Sequence, residues 1–272
     1  MSTLKLRDIH YQQLDATTWY ASAQIIMPSF LNYPVLLSDL PLLFNPSLFL
    51  NTSVEELRHM QWRHMQWQYR IPTVSLSTRE IAHRQRQQQR TGVRLLLHSL
   101  LNKLEMIDTL NDASFPYRLA NSQYYVCFSH TGTHNKIISN QHKNENLFKH
   151  LDNKVAVIIS AYRPVGIDIE VNAIKWKVAQ RFYHTNEIAI LQALTITQRD
   201  TVAKLLWQIK ECFIKIHQYT LAQGLGMDYS YLITGLVNGI EAQAQLSLLA
   251  FNDDKTKYHL AYLPEQQTVI VY

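Results

Sequence analysis

Residues 155–170 read Val-Ala-Val-Ile-Ile-Ser-Ala-Tyr-Arg-Pro-Val-Gly-Ile-Asp-Ile-Glu, two apolar runs on either side of a short polar break. The first run, Val155–Ser160, is typical of a buried strand, and Val165–Ile169 predicts the start of the next one. Asp168 and Glu170 are two positions apart, so their carboxylates share one face of an extended chain. Two like charges at that distance repel each other unless a cation lies between them or one carboxyl is protonated.

This carboxylate pair suits a bound divalent cation. Hard carboxylate oxygens are the ligands that Mg²⁺ prefers, usually together with phosphate oxygens and water. An edge strand whose carboxylates face solvent would give the same pentapeptide, Gly166–Glu170. Both interpretations stay open on this segment alone.

A second segment, about forty residues further along, carries three more polar candidates. Residues 202–217 predict a helix with an apolar face formed by Leu205, Leu206, Ile209, Phe213 and Ile216. Trp207, Glu211 and Lys215 recur every four residues and so share another stripe of that helix. A solvated ion pair would explain Glu211 and Lys215. Alternatively, they could face the strand carboxylates and complete a metal site with a phosphate-binding lysine.

The segments around these motifs predict an α+β fold. Tyr124–Ser129 reads as a strand that forms a hairpin with the strand from Val155, and the Asn/His/Lys-rich stretch 134–153 reads as a surface insertion between them. Residues 81–103 carry helical spacing. Gly224 and Gly226 suggest a left-handed end for the long helix. Helices grouped between runs of strands favour α+β over regular βαβ alternation; the last strands are expected at 243–251, 258–263 and 268–272.

The composition of the 272-residue chain limits the class of protein. With 47% hydrophobic and 17% charged residues, the chain can bury a core and is not disordered throughout. Cys127 and Cys212 form no zinc pattern and suit a reducing compartment. Four prolines and Asp39 interrupt the most apolar region, 25–50, so it is too short a run to cross a membrane. Because no signal peptide is visible either, we expect a cytoplasmic protein without a membrane partner.

The charge of the chain favours an anionic partner. Lys and Arg number 26 against 21 Asp and Glu, a formal charge of +5. Nucleic acid, a phosphorylated small molecule and an acidic protein all fit this sign, and so does an ordinary soluble surface. Four arginines in the predicted 81–103 helix suggest an anion site near its start, although some of them could serve only to solvate it; they are Arg84, Arg86, Arg90 and Arg94.

Together, these motifs resemble the Sfp-type 4′-phosphopantetheinyl transferase family. Gly166–Glu170, followed by Trp207-x-x-Lys210-Glu211-x-x-x-Lys215, is similar to the paired signature of that family. Phe128-Ser129-His130-Thr131 resembles its Ser-His-Ser element. Gly92–Leu97 resembles its arginine-containing helix, and Arg181–Glu187 resembles the segment between the two signatures. Four motifs in the same order are specific, although each alone is modest.

The resemblance implies a pseudo-dimer of two similar α+β halves, residues 1–163 and 164–272, with the active site in the cleft between them. It implies that phosphopantetheine moves from coenzyme A to a serine of an apo acyl, peptidyl or aryl carrier protein, releasing adenosine 3′,5′-bisphosphate. A chain with both halves is expected to work as a monomer.

The resemblance also implies roles for the signature residues. Asp168, Glu170 and Glu211 would hold Mg²⁺ on the diphosphate of coenzyme A. Glu211, or a metal-bound water, would deprotonate the carrier serine. Lys215 would bind phosphate, and Lys210 would assist the leaving phosphate.

A second group of residues is implied to bind the nucleotide end of coenzyme A. Ser129 and His130 would contact its 3′-phosphate, and Arg86 and Arg90 would bind phosphate from the arginine-rich helix. The family often has Gly-Lys-Pro before the Ser-His-Ser element. Here Arg118 would replace that lysine.

Three other interpretations remain. A basic nucleic-acid-binding protein would use the arginines, but three clustered carboxylates would repel a phosphate backbone unless a metal were present. Another Mg²⁺-dependent phosphoryl enzyme, such as a coenzyme A phosphohydrolase, could use the same carboxylates. An inactive carrier-binding relative is disfavoured because Asp168, Glu170, Glu211 and Lys215 are all intact.

Overall fold

The computed structural model describes residues 4–26, 78–132, 153–242, 246–251 and 256–272. Residues 1–27 and 86–272 group into one compact unit, and residues 28–85 into another. The elements below belong to the first unit, apart from the first turns of one helix. The insertion expected at 134–153 lies outside the described residues except for Asn153, which begins a strand.

Six antiparallel strands form the first sheet. Its order is β1-β2-β6-β5-β4-β3. In β5 and β6, Ser129 lies opposite Ala156, so the hairpin expected across the long connection is confirmed. The strands are β1 (Lys5–Asp15), β2 (Thr18–Ile26), β3 (Leu110–Asn111), β4 (Tyr117–Leu119), β5 (Tyr125–Gly132) and β6 (Asn153–Ser160).

The two faces of this sheet pack against different layers. Helix α1 (Thr78–Lys103) covers one face, where Leu96 and Leu100 pack with Val157 of β6. Alternate residues of the strands point the other way, so Ala156 and Ile158 pack instead against the second sheet. The first sheet is therefore buried on both faces near its centre.

Four strands form the second sheet, in the order β7-β10-β9-β8. All neighbours are antiparallel, and β7, which carries the predicted carboxylates, is at one edge. These strands are β7 (Gly166–Ile169), β8 (Leu246–Phe251), β9 (Lys257–Leu263) and β10 (Thr268–Val271).

A long helix, α4 (Ile196–His217), packs on the second sheet, and its predicted apolar face is buried. Thr195 caps its start by accepting a hydrogen bond from the backbone of Gln198. Shorter helices surround it: α2 (Trp176–Phe182), α3 (Thr185–Gln192), α5 (Leu221–Gly226) and α6 (Ile233–Glu241).

The glycine end expected for α4 is wrong. Gln218 is its left-handed C-cap, with φ 58°, whereas Gly224 and Gly226 lie inside α5. Among the described residues, no glycine has a positive φ. The side-chain amide of Gln218 donates to the Phe115 carbonyl at 2.8 Å, a contact that holds this position.

The combination of helices with antiparallel sheets confirms the α+β class. Within the described ranges, none of the helices is both long and apolar enough to cross a membrane.

Candidate active site

Strand β7 lies directly against helix α4 at Gly166. A Cβ atom at this position would lie 2.5 Å from the carbonyl oxygen of Cys212 and 2.7 Å from its Cα. Because those are backbone atoms, no side-chain rotation could make room. Glycine therefore brings the strand close enough for residues next to Cys212 on α4 to reach the strand carboxylates.

Lys215 reaches Asp168 across this junction. Its ammonium lies 2.9 Å from Asp168 Oδ1 and donates to the Ile167 carbonyl at 2.7 Å. The two charged side chains keep 22% and 13% of their exposure, respectively. Burial is the largest effect and lowers the pKa of Lys215, but the charge and hydrogen bond of Asp168, together with Cys127 and Cys212, outweigh it and leave that pKa above its ordinary value. Lys215 is therefore a cation at every physiological pH.

The expected alternation along β7 is confirmed. Ile167 and Ile169 are buried in the core between the sheets, whereas Asp168 and Glu170 are half-buried on the other side. Glu170 Oε1 accepts from the backbone and the side-chain amide of Asn172, at 2.8 and 3.1 Å. The Glu170 carboxylate is thus oriented by the turn that follows the strand.

Glu211 adds a third carboxylate from α4. Burial raises its pKa, and the charges of Asp168 and Glu170 raise it further, against the opposing effect of Lys215. Glu211 makes no hydrogen bond to another described residue. The carboxylate is half-buried, unpaired within that part of the chain, and close enough to the other two for their charges to interact.

The three carboxylates are not preassembled as a metal site. Among the residues that the structure describes, no three His, Cys, Asp or Glu side chains have a metal-binding arrangement. Lys215 and Asn172 occupy one oxygen each of Asp168 and Glu170 instead. Three oxygen-only donors, two of which raise the pKa of the third, Glu211, still fit the ligand chemistry of Mg²⁺.

Ser129 contacts Asp168, on the opposite sheet, and is not placed to contact a phosphate. Its hydroxyl donates to Asp168 Oδ1 at 3.1 Å and accepts from the Ile169 amide at 3.0 Å. The side chain is buried. The implied contact of Ser129 with the 3′-phosphate therefore does not fit this position, because both hydrogen-bonding directions of the hydroxyl are used.

His130, the next residue, is exposed and lies among positive charges. Partial burial of the ring lowers its pKa, and Lys215 and Arg90 lower it further. His130 is therefore protonated less readily in the free protein than an ordinary histidine. His130 and Arg90, which the resemblance implies for phosphate binding, lie within electrostatic reach of each other.

The other arginines have different surroundings. Arg94 pairs with Asp112 at 2.6 Å, which leaves it engaged at the surface. Arg118 stacks on the Tyr125 ring at 4.0 Å and donates to its hydroxyl at 2.6 Å. Tyr125 is opposite Arg118 in the sheet, on the face that carries Ser129. Arg86 is exposed on α1, and the side chain of Arg84 lies outside the described set.

Residues 164–266, which contain β7 and α4, match the family model described as the 4′-phosphopantetheinyl transferase superfamily. This part of the chain is similar to members of that superfamily. The resemblance expected from the two signature motifs is thereby confirmed.

A curated relative supports the same assignment. The chain is 42% identical over 67 residues to the 4′-phosphopantetheinyl transferase gsp of Aneurinibacillus migulanus. The match covers 24% of this chain and spans 28% of the length of that relative. No solved structure matches the chain.

Lys210, which lies within the segment that matches the superfamily, points away from Asp168, Glu170 and Glu211. Its ammonium lies 2.9 Å from Glu187 Oε1, both side chains are 0% exposed, and it also donates to the Met227 carbonyl. The rings of Tyr183 and Tyr229 enclose it at 5.2 Å each. The implied contact of Lys210 with the leaving phosphate does not fit, because the ammonium is sealed inside the core.

One polar residue inside the matched segment was not predicted from the sequence to lie at the site. Gln208 is completely buried on α4 and donates to the Asp168 and Gln267 carbonyls. Its spacing of three from Leu205 and four from Cys212 places it on the buried face of the helix. A polar side chain on the apolar face of a predicted helix is the sequence signal by which Gln208 could have been found.

Proposed function

We propose that the protein transfers the 4′-phosphopantetheine group of coenzyme A to a serine of an apo carrier protein, releasing adenosine 3′,5′-bisphosphate. The observation that carries this proposal is the convergence of Asp168, Glu211 and Lys215 at the junction of β7 and α4. The two motifs that supply these residues lie within the segment that matches the superfamily.

The chemistry of the site suits displacement at phosphorus. This reaction needs alignment and charge neutralisation more than it needs a covalent nucleophile. Asp168, Glu170 and Glu211 are the residues that would hold Mg²⁺, which when bound neutralises charge on the diphosphate. Lys215 supplies a permanent positive charge from the protein itself.

Glu211 is our candidate for the general base. Its raised pKa makes it a stronger base than an ordinary glutamate, and its half-buried oxygens accept no hydrogen bond from another described residue. A carboxylate with these properties can accept the proton of the carrier serine once that hydroxyl lies within hydrogen-bond reach.

The nucleotide end of coenzyme A is assigned to His130, Arg90 and Arg86. His130 and Arg90 influence each other electrostatically, and Arg90 and Arg86 are exposed one turn apart on α1. Burial lowers the pKa of His130, and repulsion from Lys215 and Arg90 lowers it further; an anionic phosphate would offset that repulsion. Ser129 is assigned instead to orienting Asp168.

The two halves, 1–163 and 164–272, are proposed to form the pseudo-dimer implied by the resemblance. Each of the two described sheets is covered by one long helix, α1 or α4. The Ser129–Asp168 contact joins a strand of one sheet to a strand of the other, which supports an active site in the cleft between the halves, within one monomer.

An acidic carrier protein is the proposed acceptor. Carrier domains are acidic around the modified serine, and the formal charge of this chain is +5. Opposite net charges accelerate encounter and favour the productive orientation. Acyl, peptidyl and aryl carriers all share this property.

Intact-protein mass spectrometry of an apo carrier tests the proposal. With coenzyme A, Mg²⁺ and the enzyme, the carrier should gain the mass of one phosphopantetheine group. Asp168→Ala should lose this activity. Asp200→Ala should retain it, because Asp200 is a half-exposed partner of Arg199 on the first turns of α4.

The same assay separates the alternatives. No mass gain with acyl, peptidyl or aryl carriers would contradict the proposal. Hydrolysis of coenzyme A without a carrier would instead support a phosphohydrolase. A DNA gel shift that persists at moderate salt would support nucleic-acid binding.

A further inference from the structure

Gln208 makes two hydrogen bonds from a fully buried position beside the candidate site. Its Nε2 donates to the Asp168 carbonyl at 3.1 Å and to the Gln267 carbonyl at 2.9 Å. Both amide hydrogens are therefore used. Burying an amide costs free energy unless its polar atoms form hydrogen bonds. The two hydrogen bonds therefore offset part of the cost of burying Gln208.

The Asp168 carbonyl lies near the end of β7, and the Gln267 carbonyl lies in the turn just before β10. Asp168 of β7 lies opposite Val269 of β10, and the ladder ends one pair later. Just beyond it, the Glu170 amide donates to the same Gln267 carbonyl at 3.3 Å. Gln267 has a left-handed φ of 53°, which is unfavourable for a residue with a side chain. Gln208 thus donates to the same carbonyl that accepts a hydrogen bond from the backbone of Glu170.

The peptide between Asp168 and Ile169 is held on both edges. Its carbonyl accepts from Gln208, and its N–H donates to Ser129 Oγ at 3.0 Å. The peptide plane cannot rotate without breaking one of these bonds. Because this plane links Asp168 to Glu170, its rotation would change the spacing of the two carboxylates.

A glutamine at this position carries a cost to stability of its own. Its Oε1 is buried and has no hydrogen-bond partner among the described residues. An unsatisfied buried acceptor opposes folding, and an apolar side chain of similar volume would avoid that cost. The two bonds from Nε2 are the feature that methionine could not supply.

We propose that Gln208 is a positioning residue: it fixes the backbone between Asp168 and Glu170 and thereby sets the carboxylate spacing for a divalent cation. This inference rests on the proposed function, since it assumes that these carboxylates hold Mg²⁺. Removing such an outer hydrogen bond typically weakens metal binding or activity about 10–100-fold.

Direct titration with Mn²⁺, followed by electron paramagnetic resonance of the free ion, tests this role without a carrier protein. In the presence of coenzyme A, Gln208→Met should raise the Kd for Mn²⁺ at least about tenfold relative to the wild type. Gln208→Asn keeps the amide but shortens the side chain by one methylene, and it should weaken binding in the same direction. Gln192→Met, at an exposed position on α3, should leave the Kd unchanged.

The outcomes separate positioning from a merely structural role. A lower unfolding temperature with an unchanged Kd for Mn²⁺, in either folded Gln208 variant, overturns the inference. No Mn²⁺ binding by the wild type overturns it as well. The proposed transfer is judged separately by the mass of the carrier, so its failure would be distinguished from the failure of this inference.

Discussion

Gly166 lies against the backbone of Cys212, where a Cβ atom would come within 2.5 Å of the Cys212 carbonyl oxygen. This contact sets how near β7 lies to α4. The positions on either side of it supply Asp168 from the strand and Glu211 and Lys215 from the helix. The close approach is therefore a requirement of the site as well as of the fold.

Replacing Gly166 should damage both stability and the site. Gly166→Ala must push the strand from the helix, and we expect unfolding to become easier by about 1–3 kcal/mol, as for other overpacked positions. Transfer should fall because Lys215 and Asp168 separate. Urea unfolding and the rate of carrier modification measure the two effects.

Gly226→Ala is the matched control for this substitution. An added Cβ at Gly226 meets no atom of the described residues within 4 Å. Stability and activity should be unchanged, or stability slightly higher, because alanine favours a helix over glycine. If Gly166→Ala and Gly226→Ala changed stability and activity equally, the close contact of Gly166 with Cys212 would not be the cause.

Glu211→Gln should stabilise the protein while abolishing transfer. Burial and two neighbouring carboxylates raise the pKa of Glu211, so the folded state holds a proton there more readily than the unfolded chain. The ionised side chain therefore opposes folding at pH 7, and the penalty vanishes as the pH falls below the ordinary carboxyl range.

Thermal unfolding at several pH values measures this effect. The midpoint of Glu211→Gln should exceed that of the wild type by about 2–4 °C at pH 7. The difference should shrink toward pH 4, as the wild-type carboxyl becomes protonated. A lower unfolding midpoint for Glu211→Gln than for the wild type at pH 7 would contradict the raised pKa of Glu211.

Lys210 is expected to stabilise the fold by pairing with the buried Glu187 carboxylate. Lys210→Met leaves the Glu187 carboxylate buried without its counter-ion, and we expect a loss of about 3–5 kcal/mol. Adding Glu187→Leu should recover part of that loss, because no buried charge then remains. Urea unfolding of the single and double variants tests this expectation.

Activity of the double variant distinguishes this role from catalysis. Where it is fully folded, its transfer rate should stay within about tenfold of the wild type. If the fully folded double variant lost about a hundredfold or more of its transfer rate, Lys210 would instead be assigned to the reacting phosphate.

Binding of adenosine 3′,5′-bisphosphate should take up a proton at His130. Burial, Lys215 and Arg90 lower the pKa of His130 in the free protein. A bound phosphate reverses part of that effect, so the complex protonates more easily and affinity rises as the pH falls from 8 toward 6. Calorimetry in buffers of different ionisation enthalpy measures the uptake.

His130→Gln is the control, because the nucleotide's own phosphates can also bind protons in the complex. The proton uptake that remains in His130→Gln is due to the nucleotide's phosphates. If wild type and variant take up the same number of protons, His130 does not contact the phosphate.

Local patterns predicted the parts of the site that depend on one element. Alternation placed Asp168 and Glu170 together, and spacing of four placed Glu211 and Lys215 on one stripe of α4. Lys210 is also four from Leu206 and three from Phe213, which is a signal of burial, but its partner Glu187 is on another helix. Such a pairing depends on tertiary packing.

The roles of Ser129 and Gln208 were beyond sequence reasoning for the same reason. Ser129 contacts β7 only because two sheets pack face to face. Gln208 reaches the carbonyl of Asp168 on β7 and that of Gln267 in the turn before β10, which are about one hundred residues apart in the chain. The wrong glycine cap has a different cause, since Gln218 adopts the left-handed conformation in place of a glycine.

Counting products against modified serines tests the transfer most directly. We expect one adenosine 3′,5′-bisphosphate for each phosphopantetheine found on the carrier, and no nucleotide release when the carrier is omitted or its serine is replaced by alanine. Nucleotide released without a carrier serine, or a carrier that gains no mass while coenzyme A is consumed, would contradict it.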